Sequence, residues 1–339
     1  MKAAVFYGKG DIRMEERPVR EPGEDEVLIR VKACGICGTD IHIFSGAEGA
    51  AKTTPPTILG HEFCGVVEKT GALVRSVKAG DRVSVDPNDM CGKCAFCRDG
   101  KAHFCENMIG IGTTVDGGFA QFCTVREKQV YRLNDAIPFE EAAMAEPVSC
   151  CLHGMDLAGV KTGDTVVIFG GGTIGLIMLQ LAALSGAAKL VVVEPVAAKR
   201  ALAEKLGADL TLDPTAMPVK EALEKRGVGQ VDVTIECVGL KSTMADAIAC
   251  AGRGGTAMLF GLTGTQDEIP LRPFDLFKRE VTVKASFINP YTQKRAISLL
   301  ESGRINVRDL ITDRIELGQL GPLLAAKDYR GKGKIIVRL

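Results

Sequence analysis

The chain has 339 residues, and its 42 lysines and arginines balance 42 aspartates and glutamates, so the formal net charge is zero. A neutral balance argues against nucleic acid or an acidic membrane as the main partner, because both demand a basic surface. The length allows about two domains of roughly 150 residues each. No apolar run reaches the roughly 18 residues that span a bilayer, and the first residues lack the apolar core of a signal peptide. We therefore expect a cytoplasmic protein whose 12 cysteines are reduced and able to bind metal.

Short strands separated by turns are predicted in the first part of the chain. The candidate strands span 27–33, 65–68, 81–85 and 119–125, with glycine or proline near several of their ends. No convincing long amphipathic helix falls in this part. The pattern predicts an irregular, β-rich domain over residues 1–150.

From about residue 150, apolar strands alternate with helices. The predicted strands span 165–169, 190–193, 231–235, 256–260 and 281–287, and the predicted helices include 173–185 and 197–206. This alternation is typical of βαβ units, so we expect an α/β fold with a doubly wound parallel sheet over residues 151–289. Residues 290–339 are too few to form a domain, and we expect them to complete the first one. The basic segment 330–334 is interpreted as a solvated turn, although a lysine there could touch cofactor phosphate, and a last strand is predicted over 334–337.

A glycine-rich loop follows the first strand of this series. Gly170, Gly172 and Gly175 fit the pattern G-x-G-x-x-G, with Thr173 and Ile174 at the start of the predicted helix. In such a loop the first glycine permits a tight turn and the second lets a pyrophosphate approach the backbone. The third lets the helix pack against its strand. Because the phosphates would then lie on free N–H groups of the helix, the loop predicts a dinucleotide site.

An acidic residue accompanies this loop. Glu194 ends the second strand, where a carboxylate accepts hydrogen bonds from the hydroxyls of the adenosine ribose. The same carboxylate would repel the additional phosphate of NADP, so NAD is the favoured cofactor. Lys199 is a candidate cofactor contact, although Lys199 and Arg200 could also weaken the preference for NAD.

A cluster of cysteines precedes the alternating part of the chain. The spacing C-x2-C-x2-C-x7-C is formed within one short loop by Cys91, Cys94, Cys97 and Cys105. Four thiolates so close in sequence match a closed tetrahedral zinc site, which has no open position for chemistry and holds its loop together. An iron–sulfur cluster is the alternative occupant of such a loop. The segment predicts a structural Zn²⁺.

A second set of metal-binding side chains is divided between two segments, Cys37 to His42 and His61 with Glu62. A catalytic zinc takes about three protein ligands and keeps an open position for substrate or water. Cys37, His61 and a carboxylate would supply such a mixture. Their separation in sequence makes the pattern only moderately specific.

These two segments, the cysteine loop and the dinucleotide fold together resemble the zinc-dependent medium-chain alcohol dehydrogenases, in the same order and over essentially the whole chain. The resemblance implies a GroES-like catalytic domain, 1–150 completed by 290–339, and a Rossmann domain over 151–289. Glu146 followed by Pro147 is similar to the polyol branch of the family, the sorbitol- and arabinitol-type dehydrogenases. Simple alcohol dehydrogenases carry a cysteine at that place.

The resemblance also assigns a catalytic zinc to this chain. It implies that Cys37, His61 and Glu62 are the ligands, and that Glu146 binds the metal directly or through its water, exchanging with Glu62. With the structural zinc, the chain would hold two zinc ions and NAD.

The family further implies a path for the proton of the substrate hydroxyl. Thr39 would pass the proton outward, His42 would take it at the surface, and Asp40 would steady a ligand or the backbone. The implied reaction is the transfer of a hydride from a secondary hydroxyl of a polyol to NAD. Members of the family usually pair through the nucleotide domain, which implies a homodimer or homotetramer.

One position departs from the sorbitol-type pattern. Those enzymes commonly carry an arginine just after the phenylalanine that matches Phe287, whereas this sequence reads Ile288-Asn289-Pro290. The polar pocket for a hexitol is therefore not fully reproduced.

Two alternative functions stay open. A threonine- or butanediol-type dehydrogenase shares most of the motifs, although Glu146-Pro147 leans away from the threonine type. A zinc-loop binding protein that senses nucleotides belongs to another class. The neutral charge and the set of Cys37, His61 and Glu62 speak against it.

Overall fold

The computed structural model describes residues 1–47 and 52–339. The chain divides into two compact units, one formed by Met1–Ser149 with Pro290–Leu339 and the other by Cys150–Asn289. The chain thus leaves the first unit, forms the second, and returns to the first.

The helices and strands follow in chain order. Up to the second unit they are β1 (Lys2–Gly8), β2 (Asp11–Glu16), β3 (Glu26–Gly35), α1 (Gly38–Phe44), β4 (Thr57–Ile58), β5 (Glu62–Thr70), β6 (Arg82–Val85), β7 (Asn88–Asp89), α2 (Ala95–Arg98), β8 (Ile109–Gly110), β9 (Phe122–Arg126), β10 (Val130–Arg132), α3 (Phe139–Ala142) and α4 (Ala145–Ala158). The second unit continues with β11 (Thr165–Phe169), α5 (Thr173–Leu184), β12 (Lys189–Val193), α6 (Ala197–Lys205), β13 (Leu210–Leu212), α7 (Val219–Lys225), β14 (Val233–Glu236), α8 (Lys241–Cys250), β15 (Thr256–Leu259), α9 (Pro273–Arg279) and β16 (Thr282–Ala285). The returning segment contains α10 (Gln293–Glu301), β17 (Ile311–Glu316), α11 (Leu320–Ala326) and β18 (Lys334–Arg338). Short 3-10 helices span Ala102–Phe104, Glu127–Gln129, Arg308–Leu310 and Leu317–Gln319.

The first unit is built on a seven-stranded sheet. Its order is β10-β6-β5-β3-β18-β17, and β9 pairs with β3 as well. The last strand of the chain, β18, runs antiparallel to β3 and parallel to β17. Alternate residues of β3 and β5 bring Ile29 and Phe63 into a buried core with Phe119.

The second unit is built on a six-stranded parallel sheet of order β13-β12-β11-β14-β15-β16. The strand order reverses direction between β11 and β14, so the prediction of a doubly wound sheet is confirmed. Apolar residues of β11 and β12, including Val167, Phe169 and Val191, are fully or almost fully buried in its core. In residues 1–47 and 52–339, no helix combines the length and apolar character needed to cross a membrane.

Several predicted strand ends differ from the structure. The strand predicted over 231–235 is β14, Val233–Glu236, and the one predicted over 281–287 is the shorter β16, Thr282–Ala285. The strand predicted over 119–125 begins later, as β9 at Phe122. The segment before β9 still joins the core, because the N–H of Phe119 donates to the carbonyl of Leu59. Hydrophobic runs therefore located these strands, but they did not predict the residues at which the hydrogen bonding between strands begins and ends.

The glycine loop after β11 supplies a test of close packing. A Cβ atom at Gly175 would lie 1.8 Å from the carbonyl oxygen of Gly170. Because that oxygen belongs to the backbone, we expect Gly175→Ala to lower the free energy of unfolding by about 1–3 kcal/mol. The matched control is Gly172→Ala, where a Cβ atom would meet nothing within 4 Å and φ is −80°. Thermal unfolding without nucleotide measures both variants, and equal melting temperatures would contradict this packing.

Candidate functional site

The four predicted structural cysteines lie together in the first unit. The Sγ atoms of Cys91, Cys94, Cys97 and Cys105 all lie within 4.8 Å of one another. The short helix α2 begins just after Cys94, which is its N-cap, and the 3-10 helix Ala102–Phe104 ends just before Cys105. The loop is thus folded by two short helical turns, and its donors form the S4 set that a tetrahedral Zn²⁺ prefers.

Backbone amides point at these sulfur atoms. The N–H of Cys94 donates to Sγ of Cys91, and the N–H groups of Cys91 and Asn107 donate to Sγ of Cys105. Hydrogen bonds from the amides of Lys93 and Cys94 lower the pKa of Cys91 to about 6. An amide donor stabilises the thiolate, which is the form that binds metal. Cys91 is therefore prepared electrostatically to bind a cation, whereas burial raises the pKa of Cys97 to about 12.

The second donor group joins the two predicted segments. Cys37, His61 and Glu62 each contribute one donor atom, and these three atoms lie within 4.8 Å of one another. Cys37 is the N-cap of α1 and lies just beyond the end of β3. Glu62 begins the adjacent strand β5, and His61 directly precedes it. A thiolate, an imidazole and a carboxylate form a mixed donor set that fits Zn²⁺.

Asp40 supports this group from the first turn of α1. Its Oδ2 accepts the N–H of Cys37 at 2.8 Å, and its Oδ1 lies 3.5 Å from Nδ1 of His61. Burial lowers the pKa of His61, but the charges of Asp40 and Cys37 outweigh burial and raise the pKa well above its usual range. A metal ion at this group would take the place of the proton on Nε2, while Nδ1 faces Asp40.

Glu62 also has a partner that sequence reasoning missed. Nζ of Lys334, on β18, lies 2.7 Å from Oε1 and 2.6 Å from Oε2 of Glu62, and it donates to the carbonyl of Ile36 at 3.0 Å. Lys334 is 6% exposed, so the interpretation of its segment as a solvated turn is wrong for this residue, whereas the strand predicted over 334–337 is confirmed as β18. The cause is the strand that follows, because Ile335 and Ile336 carry the backbone into the core.

A glycine makes this ion pair possible. Gly35 of β3 pairs with Glu62 of β5 on one side and with Ile336 of β18 on the other. A Cβ atom at Gly35 would lie 2.1 Å from Oε2 of Glu62, so a side chain there would occupy the place of the carboxylate. In the sequence, the only sign of this ion pair was the position of Lys334 at the start of an apolar strand.

The remaining predicted residues of the first unit lie nearby in the fold but outside this donor group. Thr39 and His42 are half-buried and lie three residues apart on α1, so they share a face of that helix. Glu146 lies in the first turn of α4 and is 8% exposed. Its charge contributes to the raised pKa of Lys334, where burial acts in the opposite direction and Glu62 contributes more.

The glycine loop lies in the second unit. Gly170 has a φ of +103°, in the left-handed region, at the turn that follows β11. Gly172 is the N-cap of α5, whose first residues are Thr173 and Ile174, and open space lies beside its Cα atom. The free N–H groups at this helix start form the anion site that a pyrophosphate requires.

Glu194 is attached to this loop. It follows β12 and is 6% exposed. Its Oε2 accepts the N–H of Gly171 at 2.8 Å, and its Oε1 accepts the N–H of Val196 at 3.0 Å. Lys199 lies in the first turn of α6, the helix that begins directly after Val196. Each carboxylate oxygen has two lone pairs, so Glu194 can still accept a hydroxyl donor from a ligand.

Comparisons with known proteins identify the family of the chain. Residues 23–135 match the family described as "Alcohol dehydrogenase GroES-like domain", and residues 173–302 match the family "Zinc-binding dehydrogenase". The sorbitol dehydrogenase of Ovis aries is 36% identical over 92% of this chain and 89% of its own length. D-arabinitol dehydrogenase 1 of Uromyces fabae is 35% identical over 91% of this chain and 89% of its own.

A solved structure extends the comparison to the whole fold. A zinc-binding dehydrogenase from Sinorhizobium meliloti 1021, bound to NADP, is 40% identical with a TM-score of 0.96, and the match covers 100% of this chain and 99% of that one. The predicted class, a GroES-like domain with a Rossmann domain, is confirmed. The chain therefore belongs to the zinc-dependent medium-chain alcohol dehydrogenases, in the polyol branch with the sorbitol and arabinitol enzymes.

Proposed function

We propose that the enzyme transfers a hydride from a secondary hydroxyl of a polyol to NAD. The observation that carries the proposal is the group of Cys37, His61 and Glu62, whose thiolate, imidazole and carboxylate converge within 4.8 Å. The likeness to sorbitol and arabinitol dehydrogenases supports a polyol as the substrate. When bound, zinc supplies a Lewis acid that lowers the pKa of the substrate hydroxyl, and NAD accepts the hydride.

Residues of the first unit would bind the zinc and orient its ligands. Cys37, His61 and Glu62 would hold the catalytic zinc, and Glu146 would contact it directly or through water. Asp40, whose Oδ1 lies 3.5 Å from Nδ1 of His61, would orient the ring so that its other nitrogen faces the metal.

The proton of the hydroxyl needs a route to solvent. Thr39 and His42 lie on one face of α1, the helix that begins beside the metal ligand Cys37. Since a threonine hydroxyl can both accept and donate a proton, Thr39 would pass the proton and His42 would release it.

The cofactor is NAD, and Glu194 is the residue that favours it. Gly170, Gly172 and Gly175 would receive the pyrophosphate at the start of α5, with Thr173, Ile174 and Lys199 as further contacts. The buried carboxylate of Glu194 would accept the ribose hydroxyls. A phosphate on that ribose would meet a negative charge, which disfavours NADP.

The alternative functions are less well supported. Threonine- and butanediol-type activity requires the same metal group, so the metal site does not separate them from a polyol dehydrogenase. The sorbitol and arabinitol relatives favour the polyol. A nucleotide-sensing protein would have no use for a mixed donor set beside the hydroxyl and imidazole of α1.

We also infer a reducing, cytoplasmic location and a homo-oligomer. The 12 cysteines form no disulfide, and four converge as metal ligands, which requires reduced thiols. All four residues of the edge strand β16 are exposed. Phe274 and Phe277 of α9 are 75% and 77% exposed. Within residues 1–47 and 52–339 the outer edge of β16 pairs with no strand, so this edge and these rings suit a second copy of the chain.

A substrate screen tests the proposed reaction. We expect NAD reduction, followed by the ultraviolet absorbance of NADH, with pentitols or hexitols and little turnover with threonine or simple diols. Cys37→Ser should lower kcat/KM by about 10³-fold, because a weaker ligand set loses the Lewis acid. Its metal content should fall from two zinc ions to one. Full turnover by a Cys37→Ser protein that still binds two zinc ions would contradict the site.

The cysteine loop gives the reciprocal experiment. We expect Cys97→Ser to lose the other zinc ion and to lower the melting temperature by about 5 °C or more, because metal binding supplies folding free energy to this loop. Cys150→Ser, outside both donor groups, is the control and should keep two zinc ions. Elemental analysis and calorimetry measure both variants. Unchanged stability after the loss of one zinc from Cys97→Ser would refute a structural role.

The oligomer can be tested at the exposed rings. We expect Phe277→Ser to shift the mass measured by light scattering toward the monomer, because the ring would be buried between two copies. Leu73→Ser, at a 56% exposed position in the first unit, is the control and should keep the wild-type mass. A monomeric wild-type protein, or a Phe277→Ser protein with unchanged mass, would rule out this interface.

A further inference from the structure

Two charged residues beside Glu194 are not explained by the proposed function. Arg200 lies in the first half of α6, and Asp213 directly follows β13. They form an ion pair, with Nη1 of Arg200 3.2 Å from Oδ2 of Asp213. Their side chains are 21% and 30% exposed, so the pair lies in the surface layer rather than in the core.

The parallel sheet places this pair at the ribose-binding edge. Val193 of β12 pairs with Leu212 of β13, and the N–H of Glu194 donates to the carbonyl of Leu212 at 2.9 Å. Glu194 and Asp213 are therefore the first residues beyond the carboxyl ends of adjacent strands. In such sheets the dinucleotide binds outside these strand ends.

Arg200 is held through one terminal nitrogen of its guanidinium. Its Nη1 donates to the carbonyl oxygens of Glu194 at 2.8 Å and Pro195 at 2.7 Å, beside the contact with Asp213. An arginine near the end of this strand is the usual means of binding the 2′-phosphate of NADP. Here the arginine is present, but its hydrogen bonds are directed at the backbone and at a carboxylate.

Asp213 is itself held in place. Its Oδ1 accepts the N–H of Thr215 at 2.9 Å and the hydroxyl of Thr215 at 2.6 Å. The Thr215 hydroxyl and amide, together with the charge of Arg200, lower the pKa of Asp213 below its usual range. The aspartate is therefore ionised at neutral pH and remains a fixed partner for Arg200.

We propose that Asp213 is a specificity-determining residue for the dinucleotide: it retains Arg200 in an ion pair and cancels the positive charge that Arg200 would otherwise place beside Glu194. Arg200 is then withheld from a phosphate on the ribose, and the enzyme discriminates against NADP by more than the Glu194 carboxylate alone. This inference rests on the proposed binding of NAD at the glycine loop. It concerns the adenosine end of the cofactor and is independent of the zinc chemistry.

The test measures binding without catalysis. The probes are ADP-ribose and 2′-phospho-ADP-ribose, titrated by calorimetry into the zinc-loaded enzyme at one fixed ionic strength. We expect wild-type protein to prefer ADP-ribose. Asp213→Asn should shift the ratio of the two Kd values by about fivefold or more toward the phosphorylated ligand, as expected for removing one charge near a dianion. Asparagine keeps an oxygen for Thr215, so the turn is retained.

Two further proteins separate the causes. Asp209→Asn removes the same charge at the amino end of β13, where Asp209 accepts the N–H of Leu190, and it should leave the ratio within about twofold of wild type. Asp213→Asn combined with Arg200→Ala should lose the gain. A gain that persists without Arg200 would overturn the role of that residue, and an unchanged ratio in Asp213→Asn would overturn the proposal.

If the proposed dinucleotide site itself is wrong, the same experiment gives a different result. If neither wild type nor any variant binds ADP-ribose, the dinucleotide site at the glycine loop is wrong and this proposal fails with it. If every protein binds ADP-ribose with similar Kd values and the ratio still does not respond to Asp213→Asn, only the role of Asp213 is overturned.

Discussion

A buried ion pair between Lys334 and Glu62 connects the last strand of the chain to β5, which begins at Glu62 directly after the predicted metal ligand His61. The pair crosses β3 at Gly35, where the lack of a side chain leaves room for the Glu62 carboxylate. Buried pairs contribute little net stability, but removing one partner costs about 3–5 kcal/mol because the other charge stays buried and uncompensated. The metal group therefore depends on the return of the chain to its first unit.

The same pair determines what Glu62 can offer a metal. Both of its oxygens lie close to the Lys334 ammonium, so the carboxylate is already neutralised before any cation binds. Each oxygen keeps a second lone pair, and Glu62 can therefore serve a metal ion without leaving Lys334. Cys37 and His61 would then carry most of the metal binding, with Glu62 as a weaker and more exchangeable ligand.

Sequence reasoning found the features that are local. The cysteine loop and the glycine loop each contain their own donors within a short segment, so spacing alone indicated their chemistry. The strands β11 and β12 were visible as apolar runs because both faces of a parallel sheet are buried. The contact between Lys334 and Glu62 spans most of the chain, and that between Arg200 and Asp213 depends on the pairing of β13. That strand has only three residues, Leu210–Leu212, and gives too short a run to be recognised.

Charge compensation distinguishes the two carboxylates that we assign to the zinc and to the ribose. Glu62 is matched by an ammonium, whereas Glu194 receives amide N–H groups from Gly171 and Val196, which orient it without cancelling its charge. Arg200 approaches Glu194 at its main-chain carbonyl, and the charge of Arg200 is matched by Asp213. A neutralised carboxylate suits a site that must exchange ligands around a cation. A carboxylate that keeps its charge suits a site that must accept hydroxyl donors and reject a phosphate. A chain with zero net charge therefore contains one carboxylate that is neutralised locally and one that is not.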